Sequence, residues 1–133
     1  MYLVDTNVWL ERLLDQEKSD EVGRFLDRVL SSEILITDFS FRSLGVVMDR
    51  LNRRDALRRF VQDACIQGAV GRVRLEPEDT DEIIGAIEQF NLDYDDAYQY
   101  VCASKHDLTI VSFDSDFDRT KLGKVTPSQA VES

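Results

Sequence analysis

The sequence has little of the two residue types that build zinc and redox centres. It contains one histidine, His106, and two cysteines, Cys65 and Cys102, which lie far apart and form no CxxC or Cys–His pairing. Each cysteine is therefore predicted to be a small buried apolar side chain, and a reducing compartment suits both. His106 follows a predicted helix, where a positive charge complements the helix dipole, so a structural position is favoured over a catalytic one.

Long apolar runs and flexible linkers are absent as well. No run approaches the roughly 18 residues that cross a membrane, and the N-terminus lacks the basic stretch and apolar core of a signal peptide. Only two prolines and six glycines interrupt the 133 residues, and no repeat or low-complexity segment divides them. With 43% hydrophobic residues, the chain is predicted to form one domain over residues 1–133, soluble and cytoplasmic.

Positive charge is scarce too. Acidic residues number 26 against 16 lysines and arginines, which gives a net charge of −10. This balance argues against a protein that coats nucleic acid by bulk attraction, because any nucleic acid would have to meet a local basic patch or carboxylates neutralised by a metal ion. The densest basic segment, residues 50–59, is predicted to be a solvated helical face.

The sequence does contain short apolar runs that alternate with amphipathic segments. Strands are predicted at three apolar runs, residues 2–4, 34–36 and 108–112, with shorter candidates at 73–75 and 124–126. Between them, apolar residues recur at helical spacing, most clearly over residues 22–30, and a further helix is predicted over residues 93–105. This alternation predicts an α/β fold with a largely parallel sheet and helices on both faces.

Acidic residues lie where the predicted strands end or helices begin. Asp5 closes the first apolar run, Asp96 lies near the start of a late helix, and Asp114 and Asp116 follow the clearest strand. Because ligands of parallel sheets bind beyond the carboxyl ends of the strands, these side chains are expected to lie close together. Gathered carboxylates repel one another unless a cation lies among them, and Mg²⁺ takes oxygen ligands. Since such an ion activates water and neutralises a phosphodiester, a metal-dependent hydrolase is the leading hypothesis.

Helix capping, calcium binding and phosphate signalling are three alternatives to this hypothesis. Taken singly, Asp5, Asp96 or Asp114 is better interpreted as a helix cap that accepts backbone N–H groups. The segment after the last major strand does not match an EF-hand loop, which needs Gly and Glu where this sequence has Arg119 and Val125. A receiver-like signalling domain would carry a pair of acids after its first strand, but Asp5 stands alone there.

Three motifs together resemble the PIN-domain family, particularly the VapC-like toxins of bacterial and archaeal toxin–antitoxin pairs. They are Val4-Asp5-Thr6-Asn7, Tyr94-Asp95-Asp96-Ala97 and Ile110-Val111-Ser112-Phe113-Asp114-Ser115-Asp116-Phe117. The resemblance implies a three-layer α/β/α sandwich with a central parallel sheet of four or five strands. It also implies an acidic pocket that binds Mg²⁺ or Mn²⁺ and hydrolyses RNA, a homodimer, and a small antitoxin protein as partner.

Carried over by position, the resemblance implies a role for each motif residue. Asp5, Asp96 and Asp114 would be metal ligands and catalytic residues, with Asp116 as a further ligand or a water-orienting base. The implied supporting residues are Thr6, Asn7 and Ser112. The sequence departs from the family at Ser43, which stands where a Glu is usual on the helix after strand two. Because serine brings no negative charge, one weakly held ion is favoured over two. A catalytically weak or inactive PIN-like binding module remains the alternative.

Overall fold

A computed structural model of the protein describes residues 1–132 and shows a single parallel sheet. Its strands are β1 (Tyr2–Val4), β2 (Ile34–Thr37), β3 (Gly71–Val73) and β4 (Thr109–Val111). They lie in the order β3-β2-β1-β4, and each neighbouring pair is parallel. The predicted α/β class is therefore confirmed, with four strands in the sheet.

Helices make up most of the rest of the described chain. They are α1 (Thr6–Leu13), α2 (Ser19–Arg28), α3 (Asp38–Arg50), α4 (Arg54–Phe60), α5 (Thr80–Phe90), α6 (Tyr94–His106) and α7 (Pro127–Glu132). A π-helical segment, Val61–Ile66, continues α4, and Ser115–Arg119 forms a 3-10 turn after β4. Within residues 1–132, no helix combines the length and the apolar character that a bilayer crossing needs.

Two hydrophobic clusters, one on each face of the sheet, form the core. Successive side chains of a strand point to opposite faces, so Leu3 and Val4 enter different clusters. Leu3 packs in the cluster that contains Ile83 of α5, and Val4 packs in the cluster that contains Phe25 of α2. Helices thus cover both faces of the sheet, as a three-layer sandwich requires.

Two edge strands differ from the prediction. β3 starts at Gly71, which pairs with Leu35 on the neighbouring strand, and a Cβ at position 71 would lie 2.8 Å from Cδ2 of Leu35. It ends before Leu75, whose N–H donates to the Tyr98 hydroxyl at 2.9 Å instead of to another strand. The strand expected around Val125 is reduced to a single parallel bridge with Val111.

The register of the central strands brings two distant parts of the chain to one edge. Val4 pairs with Val111, and the Asp5 N–H donates to the carbonyl oxygen of Val111 at 2.9 Å. Asp5 and Ser112 therefore leave the sheet side by side at its carboxyl edge. This is the edge at which ligands bind in parallel sheets.

Candidate functional site

Three carboxylates come together at the carboxyl edge of the sheet. Asp96, Asp114 and Asp116 each offer an oxygen atom, and these atoms lie within 4.8 Å of one another. We call these three residues the acidic cup. Asp96 is buried, while Asp114 and Asp116 are partly exposed, so the cup opens towards solvent.

Local capping interactions place the cup residues. Asp93 caps α6 by accepting the N–H of Asp96 at 2.9 Å, which fixes Asp96 in the first turn of the helix. Asp114 caps the 3-10 turn after β4 by accepting the N–H of Asp116 at 2.8 Å. Arg119 ends that turn and holds Asp116 at 3.0 Å. The caps that begin α6 and the 3-10 turn therefore also set the positions of the cup carboxylates.

Asp5 lies beside the cup but is not one of its three clustered carboxylates. It is 7% exposed and caps α1 by accepting the Thr6 N–H at 2.7 Å. Its other oxygen accepts the Ser112 hydroxyl at 2.7 Å, and the Gln99 side-chain amide also donates to Asp5. Asp5 is therefore both a helix cap and a wall of the acidic site, since the two roles use different lone pairs.

Ser112 and Asn7 join the loop after β4 to the start of α1. The Ser112 hydroxyl, besides its bond to Asp5, accepts the Asp114 N–H at 2.9 Å and the Asn7 amide at 3.4 Å. The Asn7 side-chain oxygen accepts the Phe113 N–H at 3.3 Å. Both residues thus hold Asp114 at a fixed position relative to Asp5.

The motifs did not identify Gln99 as a site residue. Gln99 is 4% exposed, and its amide donates to Asp5 and, at 3.2 Å, to the Ser40 hydroxyl of α3. Its side-chain oxygen is buried without a hydrogen-bond partner among the described residues. One signal was available: Gln99 lies three residues after Asp96 on a helix, a spacing that puts both side chains on the same face.

A pocket of about 280 Å³ opens between α1, α3, α6 and the loop after β4. Its wall holds the predicted Asp5, Asp96 and Asp114, with Asp93 and Asp95 as further acids. The other polar lining residues are Thr6, Asn7, Ser40, Ser43 and Gln99. Ser43 also lines the pocket and contributes a hydroxyl there.

Burial and mutual repulsion make the cup unfavourable as a cluster of bare charges. Burial raises the pKa of Asp5 to about 6 against the hydrogen bonds from Ser112 and Thr6, with the charges of Asp114 and Asp93 adding to the rise. Burial likewise raises the pKa of Asp96 to about 8, followed by the charges of Asp114, Asp93 and Asp5. A set of repelling carboxylate oxygens fits a hard divalent cation such as Mg²⁺ or Mn²⁺, which removes that repulsion.

Comparison with known proteins identifies the fold. A family model described as PIN domain matches residues 2–122. Among curated proteins, no sequence matches this chain significantly.

Several solved structures share the architecture at low sequence identity. A toxin–antitoxin complex from Klebsiella pneumoniae is 17% identical, with a TM-score of 0.76 over 96% of this chain and 98% of that one. VapC20 from Mycobacterium tuberculosis, described as a toxin that cleaves the sarcin-ricin loop, is 15% identical, with a TM-score of 0.77 over 96% and 100%. FitAcB from Neisseria gonorrhoeae is 20% identical, with a TM-score of 0.75 over 96% and 98%.

Proposed function

This chain belongs to the PIN-domain family, and from that membership we propose that it is a metal-dependent endoribonuclease that hydrolyses RNA phosphodiester bonds. The observation that carries the proposal is the acidic cup, whose three carboxylates offer oxygens within 4.8 Å of one another at the open edge of the sheet. The family match covers residues 2–122, and α7 packs on α2, which supports one domain over the whole chain.

The residues of the site divide into those that would hold the ion and those that position them. Asp96, Asp114 and Asp116 would bind Mg²⁺ or Mn²⁺, with Asp5 as the neighbouring carboxylate. When bound, the ion would supply an acidified water and a counter-charge for the phosphodiester. The positioning groups are Thr6, Asn7 and Ser112, which hold Asp5 and Asp114 through their hydrogen bonds.

A PIN-like binding module without cleavage activity is the second candidate function. Two observations favour it: Ser43 brings no charge to the pocket, and the Asp5 carboxylate already accepts three hydrogen bonds. Such a module would bind RNA or protein without divalent cations. A Ser43→Glu variant that gained cleavage activity would show that one further ligand is what the pocket lacks.

Cleavage of RNA with and without divalent cation tests the main proposal. We expect the wild type to cleave in Mg²⁺ or Mn²⁺ and to stop in EDTA, because the cup cannot act without its counter-charge. Asp114→Asn should abolish cleavage, while Asp20→Asn, on the exposed surface of α2, should leave it unchanged. Cleavage that persists in EDTA and in Asp114→Asn would refute the proposal.

We also propose that the protein is the toxin of a toxin–antitoxin pair, that it forms a homodimer and that it acts in the cytoplasm. The toxin role is supported by the fold shared with VapC20 and the Klebsiella complex. Exposed Leu51 and Ile66 offer apolar contacts for a second subunit, and two free cysteines suit a reducing compartment. The toxin role predicts that expression of the wild type, but not of Asp114→Asn, arrests growth. The homodimer is tested by measuring the molar mass of the purified protein by light scattering after size-exclusion chromatography.

A further inference from the structure

We propose that Tyr94 and Phe39 form a stacking platform for an unpaired base of an RNA strand beside the acidic cup. This proposal rests on the proposed nuclease function and specifies which part of the RNA substrate the site would bind. A base on these rings would place the adjoining phosphate of the strand at the acidic pocket.

Tyr94 is unusual in its exposure. It is 48% exposed, whereas every other aromatic side chain in residues 1–132 is buried or only partly exposed. Its ring centroid lies 6.4 Å from that of Phe39 and 6.4 Å from that of Tyr98, with the planes tilted by 38° and 36°. The three rings therefore form one aromatic cluster, and Tyr94 is its open side.

Ring packing and two hydrogen bonds hold the inner part of the cluster in place. Phe39 and Tyr98 lie with their centroids 5.6 Å apart, and the Tyr98 hydroxyl donates to Asp38 at 2.8 Å. The same hydroxyl accepts the N–H of Leu75 at 2.9 Å. A ring that rests on such a support loses little freedom when a base stacks on it, which favours binding.

The platform is continuous with the acidic pocket. Tyr94 is the first residue of α6, between Asp93 and Asp95, and both of those acids line the pocket. Phe39 lines the pocket itself, together with Asp96. The aromatic cluster and the cup are thus adjacent parts of one surface.

One guanidinium group lies next to the platform, and a second lies near Asp38, the residue before Phe39. Arg42, one turn after Phe39 on α3, lines a neighbouring hollow of about 230 Å³ with Phe39 and Ser43. Arg72 lies with Asp38 at another hollow of about 300 Å³ and covers the ring of Phe41. Within residues 1–132, neither Arg42 nor Arg72 forms a salt bridge.

Charge and ring geometry together select the ligand. In a protein with a net charge of −10, Arg42, which forms no salt bridge within residues 1–132 and lies beside Phe39 and Ser43 of the acidic pocket, provides local attraction for a phosphate backbone. An exposed tyrosine face binds any base by stacking, provided that the base is unpaired. Aromatic stacking next to guanidinium groups is typical of single-stranded nucleic-acid sites.

Fluorescence of 2-aminopurine in a short single-stranded RNA tests the platform, because stacking quenches it. The full-length protein is titrated in Ca²⁺, which occupies oxygen sites and lowers the charge of the cup, and a gel checks that the RNA stays intact. We expect quenching at one position of the strand. Tyr94→Phe should keep both quenching and affinity, whereas Tyr94→Leu should lose the quenching and bind roughly five- to tenfold more weakly.

Matched variants separate stacking from general effects. Tyr100→Leu changes a tyrosine of the same helix whose ring packs 5.1 Å from Phe90, outside the acidic pocket, and should leave quenching and affinity unchanged. Arg42→Gln should lower the salt dependence of log affinity by about 0.7 for one lost phosphate contact. Arg28→Gln, at an exposed position on α2, should leave that salt dependence unchanged. Melting curves show that each variant is folded.

The outcomes separate the platform from the nuclease. If Tyr94→Leu binds and quenches like the wild type, or if no RNA binds, the platform is refuted and the exposed ring serves another partner such as a protein. If the wild type cleaves RNA but Tyr94→Leu has the same KM and quenching, the nuclease stands and the platform falls. If quenching depends on Tyr94 while no cleavage occurs, the platform stands and the nuclease falls.

Discussion

At the scale of single residues, the site contains groups that motif reading finds and groups that it does not. Asp5, Asp96 and Asp114 follow strand ends or open helices, and these positions mark them in the sequence. Gln99 lies within a helix and carries no such mark, since an interior glutamine is ordinarily a solvated side chain. Its role depends on the packing of α3 against α6 near Asp5, which only the folded structure specifies.

Replacing Gln99 by a carboxylate should make the protein dependent on metal. In Gln99→Glu, a donor to Asp5 becomes a second negative charge at the same place, so the melting temperature without metal should fall well below that of the wild type. Mn²⁺ should restore most of the loss. Gln99→Leu also removes the two hydrogen bonds of the amide, at a cost of about 1–3 kcal/mol. Mn²⁺ should raise the melting temperature of this variant no more than that of the wild type. Equal Mn²⁺ responses in the two variants would contradict the expectation.

Asp96 should make the metal-free protein less stable as pH rises. Its pKa is raised from 3.8 to about 8 in the folded chain, so the unfolded chain releases the proton first and stability falls between these values. Asp96→Asn removes this loss. We expect the variant to melt above the wild type at pH 8 in EDTA, with the difference shrinking as pH approaches 4.

A control on α5 isolates the effect of the buried charge. Asp81→Asn, at an exposed position in the first turn of α5, should not raise the melting temperature at pH 8. An Asp96→Asn advantage that stayed constant from pH 4 to pH 8 would mean that packing, and not ionisation, is its cause.

At the scale of elements, the strongly patterned segments were predictable and the sheet edges were not. The helix expected over Asp93–Lys105 is observed as Tyr94–His106, because Asp93 serves as its cap. The basic segment 50–59 is largely exposed, as predicted, although a turn at Asn52 divides it between α3 and α4. The strand expected at 73–75 is observed at Gly71–Val73, where it pairs with β2, and the N–H of Leu75 bonds the Tyr98 hydroxyl of a distant helix instead.

The cap of α3 should contribute measurably to stability. The Thr37 hydroxyl accepts the buried N–H of Ser40 at 2.9 Å, and α3 carries Phe39 and Ser43 to the pocket. Thr37→Val keeps the shape but removes the acceptor, so urea denaturation should show a loss of about 1–2 kcal/mol. Thr37→Ser keeps the hydroxyl and should retain the cap. A loss in Thr37→Ser as large as that in Thr37→Val would assign the effect to the methyl group.

At the scale of the whole molecule, the site joins parts of the chain that are far apart in sequence. Asp5 accepts hydrogen bonds from residues 94 and 107 positions away, and β1 lies between β2 and β4 in the sheet. Any ion that binds Asp96, Asp114 and Asp116 therefore binds only the folded chain. Ion binding and folding are thermodynamically linked.

Divalent cation should accordingly stabilise the entire fold. At a free Mn²⁺ concentration of 100 times its dissociation constant, the free energy of unfolding should rise by about 2.7 kcal/mol, with a matching shift in the melting temperature. Asp114→Asn should show little of this shift, while Asp20→Asn should match the wild type. If all three proteins respond alike to Mn²⁺, the ion does not act through the acidic cup.

The pairing of β1 with β4 also determines when the acidic cup can form during synthesis of the chain. During synthesis Asp5 is added well before the cup residues, and the acidic cup cannot form until Asp96, Asp114 and Asp116 have been added and β4 has paired with β1. If the chain cleaves RNA as proposed, the nascent chain has no nuclease activity until β4 and the turn after it have been synthesised. Ribosome-bound chains stalled on a C-terminal linker long enough to bring β4 and Asp116 out of the exit tunnel should cleave RNA, whereas chains stalled before Asp116 should not.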